Sequence, residues 1–322
     1  MKKNYIINNK ILLIKFIFFI ILFFLTTHTS IKAFENKILV KIDNEIITTQ
    51  DVENEYKYIL ALNKGFKDIE KKKAYEISKR SVIREKIKEI EILKNFKELK
   101  VEEKYLNEVF ANLYLNIGIK NKKDFRKYLK NRKVSYKNIK KKIEIEALWN
   151  SLIVGKFLSK VKIDEKRLRE QIIKDQNKTS NSYLLSEILF KIQSSDELEN
   201  KYREIKESID KEGFANAALT HSISSTSNVG GNLGWIDENN IEKKINNEIL
   251  KLKKNEYTKP IIVPGGFLIL KVKDIKQVNK KLTQNINEEL KKRISIKKND
   301  QLNQFSIIHF NKIKKDIYIN EF

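Results

Sequence analysis

A chain of 322 residues is long enough to bury a sizeable core and to hold two or three domains. With 41% hydrophobic and 34% charged residues it reads as folded protein, neither disordered nor polytopic in a membrane. The absence of cysteine excludes a disulfide scaffold, a zinc ribbon, an iron–sulfur protein, a cysteine nucleophile and a lipidated-cysteine anchor. Three histidines and nine glycines leave little material for a His-rich metal enzyme or for phosphate-cradling loops, so no cofactor is expected. Two prolines point to a mainly helical chain.

The formal charge of +24 comes from lysine rather than arginine, beside heavy isoleucine and asparagine usage. That mixture reads as the codon bias of an AT-rich genome, with lysine as the default surface residue. Lysines alternate with acids, as in Glu85-Lys86-Ile87-Lys88-Glu89, and form no single stripe. A solvated lysine-rich surface, with no specific nucleic acid as partner, is the expectation.

Lys2, Lys3 and Lys10 precede the apolar run Ile11–Leu25, which only Lys15 interrupts, and Ser30-Ile31-Lys32-Ala33 closes the segment. Residues 1–33 read as a secretory signal peptide with cleavage after Ala33. An uncleaved anchor is the alternative. The apolar run is shorter than the ~20 residues that span a bilayer, so no stable membrane anchor is expected after cleavage.

Two apolar runs around Asp43-Asn44 predict a hairpin over Ile38–Ile47, since both turn residues tolerate positive φ. Thr48 is a helix N-cap with Asp51 three residues on, predicting a helix over Thr49–Leu62. Apolar residues then recur at three- and four-residue steps from Val82 to Phe96 and from Val101 to Tyr114, each the buried face of a helix. Helices are also predicted over Lys122–Lys130 and from Ser135 to about Lys160. The polar stretch 175–182 reads as a structureless linker.

Beyond it the texture changes. A strand is predicted over Tyr183–Ile192, and helices over Asp196–Glu212 and Phe214–Thr220. The motif Gly230-Gly231-Asn232-Leu233-Gly234-Trp235 follows, then a helix over Ile241–Leu252. Pro260-Ile261-Ile262-Val263-Pro264-Gly265-Gly266 leads into a strand over Phe267–Val272. Most glycines and both prolines fall in this block. After Lys276 a helix is predicted from Leu282 to about Lys315, ending in a strand over Asp316–Asn320. The first hairpin and this last strand are both short, and together would complete one small sheet.

The Gly-Gly-Asn-Leu-Gly-Trp motif, followed at this distance by the Gly-Phe strand, resembles the parvulin-type (PpiC) peptidyl-prolyl isomerase domain. Ile38–Tyr58, reading "IDNEIITTQDVENEY" in its centre, resembles the opening of the SurA-like periplasmic chaperones, as does the succession of helices to Ile173. The resemblance covers nearly the whole chain after residue 33 and implies an α+β fold. A mainly helical chaperone core over 34–174 would be completed by 277–322, with one parvulin-like domain inserted over 183–276. It also implies a periplasmic location. The partners implied are unfolded outer-membrane protein clients and aromatic-rich or proline-containing peptides.

The residues depart from the family where its catalysis resides. In Ser186-Glu187-Ile188-Leu189 a glutamate stands in the place of the family's first histidine. In Gly266-Phe267-Leu268-Ile269 a leucine stands in that of the second. The family's third polar position falls at Ile223 or Ser224, in a loop one residue short there. His221 takes the place of a packing aromatic, and Ser224-Ser225-Thr226-Ser227 reads as a polar loop rather than a nucleophile. Resemblance places Leu233, Ile241, Ile245 and Phe267 on the apolar lining of the substrate pocket, with Glu187 and Leu268 completing it. No catalytic residue is assigned. A binding domain that has lost most or all catalysis is the expectation, with a working isomerase using Glu187, or a membrane-tethered foldase, as alternatives. No nucleophile elbow, Walker loop, His-Glu-x-x-His or dinucleotide fingerprint is present.

Overall fold

The computed structural model describes residues 36–175, 179–194, 196–279 and 285–322. The segment 1–33, read as a signal peptide, lies outside them. The chain divides into Met1–Lys37 and Ile38–Phe322, and the architecture is that of the second.

Strands β1 (Ile38–Ile42) and β2 (Glu45–Thr48) form the hairpin, with Asp43 at its tip at a φ of 49°. The Asp43 carboxylate accepts from the Tyr318 backbone N–H at 3.0 Å, which ties the turn to the last strand, β7 (Ile319–Glu321). β7 pairs antiparallel with β1, giving a three-stranded sheet of order β2-β1-β7. Helix α1 (Thr49–Leu62) starts at a capping box. The Thr48 N–H donates to Asp51 at 2.8 Å, and the Asp51 N–H donates back to the Thr48 hydroxyl.

Helices α2 (Lys71–Leu93), α3 (Glu103–Asn116), α4 (Lys122–Asn131), α5 (Tyr136–Phe157) and α6 (Glu165–Asp175) follow. The long α10 (Ile286–Asp316) returns to pack on α2, α5 and α6. Ile87 and Ile92 of α2, Trp149 and Leu152 of α5, and Leu302 and Ile313 of α10 share one core with the β1–β2 hairpin. A second core joins Phe110 of α3, Phe125 and Leu129 of α4, and Ile139 of α5. Among the described residues no helix is long and apolar enough to cross a membrane.

The second sheet belongs to the block between α6 and α10. It comprises β3 (Thr179–Phe190), β4 (Asn232–Asp237), β5 (Ile261–Val263) and β6 (Gly266–Asn279), in the order β4-β3-β6-β5 and antiparallel throughout. Helices α7 (Glu197–Glu212) and α8 (Phe214–His221) cover one face, and the short α9 (Lys243–Ile249) flanks the other.

Three expectations need correction here. Residues 179–182, read as linker, are the first third of β3. They pair with 276–279 of β6, because a ladder of backbone bonds does not depend on apolar side chains. The motif around Leu233, read only as glycine-rich, is strand β4. The helix predicted over Ile241–Leu252 is confined to Lys243–Ile249. Its backbone bonds tighten to i→i+3 at Lys251 and Leu252, which ends it.

Candidate functional site

Strand alternation decides what faces the site. In β3, Leu185, Glu187 and Leu189 share a face with Leu268, Leu270 and Val272 of β6, since Leu189 lies opposite Leu268 and Glu187 opposite Leu270. Phe267 and Ile269 therefore turn to the other face. There Phe267 packs on Phe190 at 5.6 Å between ring centroids, under α7 and α8. Phe267, expected on the pocket lining, is not there. The expectation failed because Phe267 and Leu268 are adjacent in a strand, and only one of them can face the pocket. Glu187, Leu233, Ile241, Ile245 and Leu268 do line one cavity of about 940 Å³.

That cavity has a second wall. Helices α2, α5 and α10 contribute Ile83, Ile87, Trp149, Ile307 and Phe310 to its lining. The block of the second sheet is held against α1, α2 and the turn between them at several points. The Lys73 ammonium lies 2.7 Å from the Glu212 carboxylate, and the Asn216 amide donates to the Gly65 carbonyl at 3.0 Å. Leu219 of α8 packs with Ile59, Phe66 and Ile77.

Glu187 is tightly held. One of its carboxylate oxygens accepts from the Ser224 hydroxyl at 2.6 Å and from the Thr226 hydroxyl at 2.8 Å. It is thus Ser224, not Ile223, that presents a polar group at the third position; Ile223 packs among the apolar side chains of the same face. The loop is fixed from the helical side as well. Arg84 of α2 donates to the Ser227 hydroxyl at 2.9 Å and to the Ser224 carbonyl at 3.4 Å. Arg84 and the Thr226 hydroxyl are residues of this candidate site that sequence reasoning missed. Nothing in the spacing of a lysine-rich helix singles out Arg84.

His221 closes α8 on the lining of the cavity, with Nδ1 3.6 Å from the Glu204 carboxylate. Burial, then the positive charge of Lys201, pulls its imidazole down to about 4, against the opposing pull of Glu204, so the ring is neutral near pH 7.

The backbone geometry beneath Glu187 needs glycine. Gly231 has a φ of +74°, and its carbonyl accepts from the Glu187 N–H at 2.8 Å. A Cβ on Gly231 would lie 2.1 Å from the Glu187 carbonyl oxygen. Gly231→Ala is expected to cost roughly 2–5 kcal/mol, from left-handed strain together with overpacking, and to displace Glu187. Urea unfolding checks the first effect. A loss under about 0.5 kcal/mol, small for any such clash, would show that the loop does not sit against β3 in this way.

Chemically, the site offers an apolar recess beside one anchored carboxylate. An ionised carboxylate only accepts hydrogen bonds, and the Leu268 side chain does neither. Among the described residues no group of three or more His, Cys, Asp or Glu is placed to hold a metal ion.

Residues 188–274 match the family described as Rotamase, PPIC-type PPIASE domain. The chain is 21% identical over 188 residues to the Chaperone SurA of Pseudomonas aeruginosa, covering 55% of this chain and 44% of that one. It is 32% identical over 121 residues to the Chaperone SurA of Buchnera aphidicola, covering 38% and 27% respectively. A solved structure described as one of two SurA-like chaperones of Campylobacter jejuni matches with 18% identity and a TM-score of 0.33, covering 89% of this chain and 99% of that one. The chain spans less than half the length of the two curated relatives it matches here. It carries a PpiC-type domain and is SurA-like, with an α+β fold.

Proposed function

We propose that this chain is an exported periplasmic chaperone. Its cavity would hold apolar and proline-containing segments of unfolded outer-membrane proteins, and its PpiC-type domain would serve as a binding surface with little or no isomerase activity. The observation that carries this reading is the shared cavity, with the strand face of the PpiC-type domain on one side and helices of the chaperone core on the other. Apolar surface opened to solvent in this way marks a site of interaction.

The division of labour follows from the side chains. Leu233, Ile241, Ile245 and Leu268 supply an apolar seat for a prolyl ring or another apolar residue. Glu187, held by Ser224 and Thr226, accepts from a client N–H. Arg84 keeps the Ser224–Ser227 loop in place from the helical side. Rotation about a prolyl amide is slowed by a barrier of ~18–20 kcal/mol and needs no covalent step. A catalyst must favour the twisted amide over the planar one, and that takes polar groups the planar form does not use equally well. With leucine at 268 the site retains the apolar half of that task.

A second reading, a carboxylate-based isomerase, draws on the double hydroxyl anchoring of Glu187. A third, a tethered foldase, depends on residues 11–25; N-terminal sequencing of the exported protein separates it from the first. The test of the main reading is aggregation of an unfolded β-barrel protein diluted from denaturant. The chain lacking residues 1–33, at stoichiometric excess, is expected to suppress the rise in light scattering. Unchanged aggregation would sink the chaperone reading.

A further inference from the structure

Five carboxylates line the cavity; Glu146 and Glu321 are paired with Lys88 and Lys79, and the other three come from different elements: Glu187 on β3, Glu242 just before α9, and Asp300 on α10. Asp300 is open to water within the cleft, yet its carboxyl is pushed above the usual range. Burial among surrounding protein is the first cause, and the negative charges of Glu187 and Glu242 add to it, with Lys297 opposing. Glu187 and Glu242 are therefore each within electrostatic reach of Asp300, while the three are not grouped to hold a metal ion. Neither Glu242 nor Asp300 forms an ion pair among the described residues.

The cations on the facing wall are differently placed. Lys88 is paired with Glu146 at 2.7 Å, and Arg84 is engaged by Ser227 and Ser224; Arg80 of α2 and Lys314 of α10 also line the helical wall, and Lys297 lies within electrostatic reach of Asp300. In a chain of formal charge +24, the cavity thus keeps an acidic corner next to its apolar seat. His221 Nε2 and Asn240 Oδ1, on residues of the same lining, are buried without a hydrogen-bond partner among the described residues. Such atoms favour a ligand with peptide groups, because a buried polar atom without a partner has lost the hydrogen bonds it makes in water.

We propose that the cavity selects client segments in which a proline or other apolar residue is flanked by lysine or arginine. The apolar side chain enters the recess of Leu233, Ile241 and Ile245, and the cation lies among Glu187, Glu242 and Asp300. This rests on the client-binding reading above and names the substrate class of that site. The preference comes from charge complementarity in a partly screened cleft, so it is modest and falls with salt.

The experiment is fluorescence anisotropy on the chain lacking residues 1–33, with three labelled peptides. Each contains Ala-Leu-Pro-Phe, preceded by Lys, Gln or Glu. At low salt the Lys peptide is expected to bind about three- to tenfold more tightly than the Gln peptide, with the Glu peptide weakest. The Lys-over-Gln ratio should shrink towards one at high salt, and also in Asp300→Asn and in Glu242→Gln. Asp300 and Glu242 are both exposed, so neither substitution threatens folding. Equal binding of the Lys and Gln peptides would overturn this inference and leave the chaperone reading standing. Tightest binding of the Glu peptide would overturn it too, and would assign selectivity to Arg80 and Lys314 on the facing wall. Failure of all three peptides to bind would remove the client-binding reading itself, and this inference with it.

Discussion

Replacing Glu187 and Leu268 together by histidine is expected to raise cis/trans exchange of an Ala-Pro-Phe peptide by on the order of 10²–10⁴-fold over the unaltered chain. The two positions are diagonal neighbours across β3 and β6, because Glu187 faces Leu270 and Leu189 faces Leu268. Diagonal pairs lie within reach of long side chains. Two imidazoles there would restore donors and acceptors beside an apolar recess that Leu233, Ile241 and Ile245 already form. The unaltered chain should speed exchange little or not at all, since neither Leu268 nor an ionised Glu187 can donate. Exchange spectroscopy on the unaltered chain, the double histidine variant and Glu187→Gln decides the matter. High activity in the unaltered chain, abolished by Glu187→Gln, would establish the carboxylate-based isomerase instead. Client protection that survives every one of these changes would place binding and isomerisation in separate properties of the site.

Trp149→Ala should destabilise the helical core by about 3–5 kcal/mol. Trp149 is 1% exposed, and its indole N–H donates to the Ser306 hydroxyl of α10 at 2.8 Å. The rings of His309 and Phe310 lie 5.6 and 6.2 Å from it, and the Lys88 ammonium lies 5.5 Å from its ring centroid. Truncation would open a cavity where α5 meets α10, and would leave Ser306 without its donor. Because Trp149 also lines the shared cavity, client binding should weaken along with stability. Urea unfolding followed by circular dichroism measures the loss. Trp235→Ala is the control: that side chain is 44% exposed under Lys276, so removing it should cost less than about 1 kcal/mol. Comparable losses for the two variants would contradict the assignment of Trp149 to the core.

Much of the fold was legible along the chain because its determinants are local. Thr48 and Asp51 cap α1 by contacts three residues apart, and the predicted span of Thr49–Leu62 is the observed one. Asp43 supplies the positive φ of the hairpin, and the three- and four-residue apolar steps of α2, α3 and α5 mark their buried faces. The glycine-rich motif is local in the same way: Gly231 admits a backbone approach that a Cβ would block.

What the sequence left open depends on partners distant in the chain. Polar residues 179–182 carry no strand signal, and became strand only because β6 extends far enough to pair with them. Phe267 and Leu268 are both apolar, so composition could not say which faces the recess; the register with β3 decided for Leu268. Along the chain Ile223 and Ser224 are equal candidates for one polar position; the hydrogen bond from the Ser224 hydroxyl to Glu187 decides for Ser224. Arg84 and Asp300 lie more than a hundred residues from the loop and the strand, respectively, that they act upon, on helices whose periodicity records only their own buried faces. Periodicity and capping are properties of one segment, whereas a cavity between segments exists only once α2, α5 and α10 have packed opposite the strand face that carries Glu187.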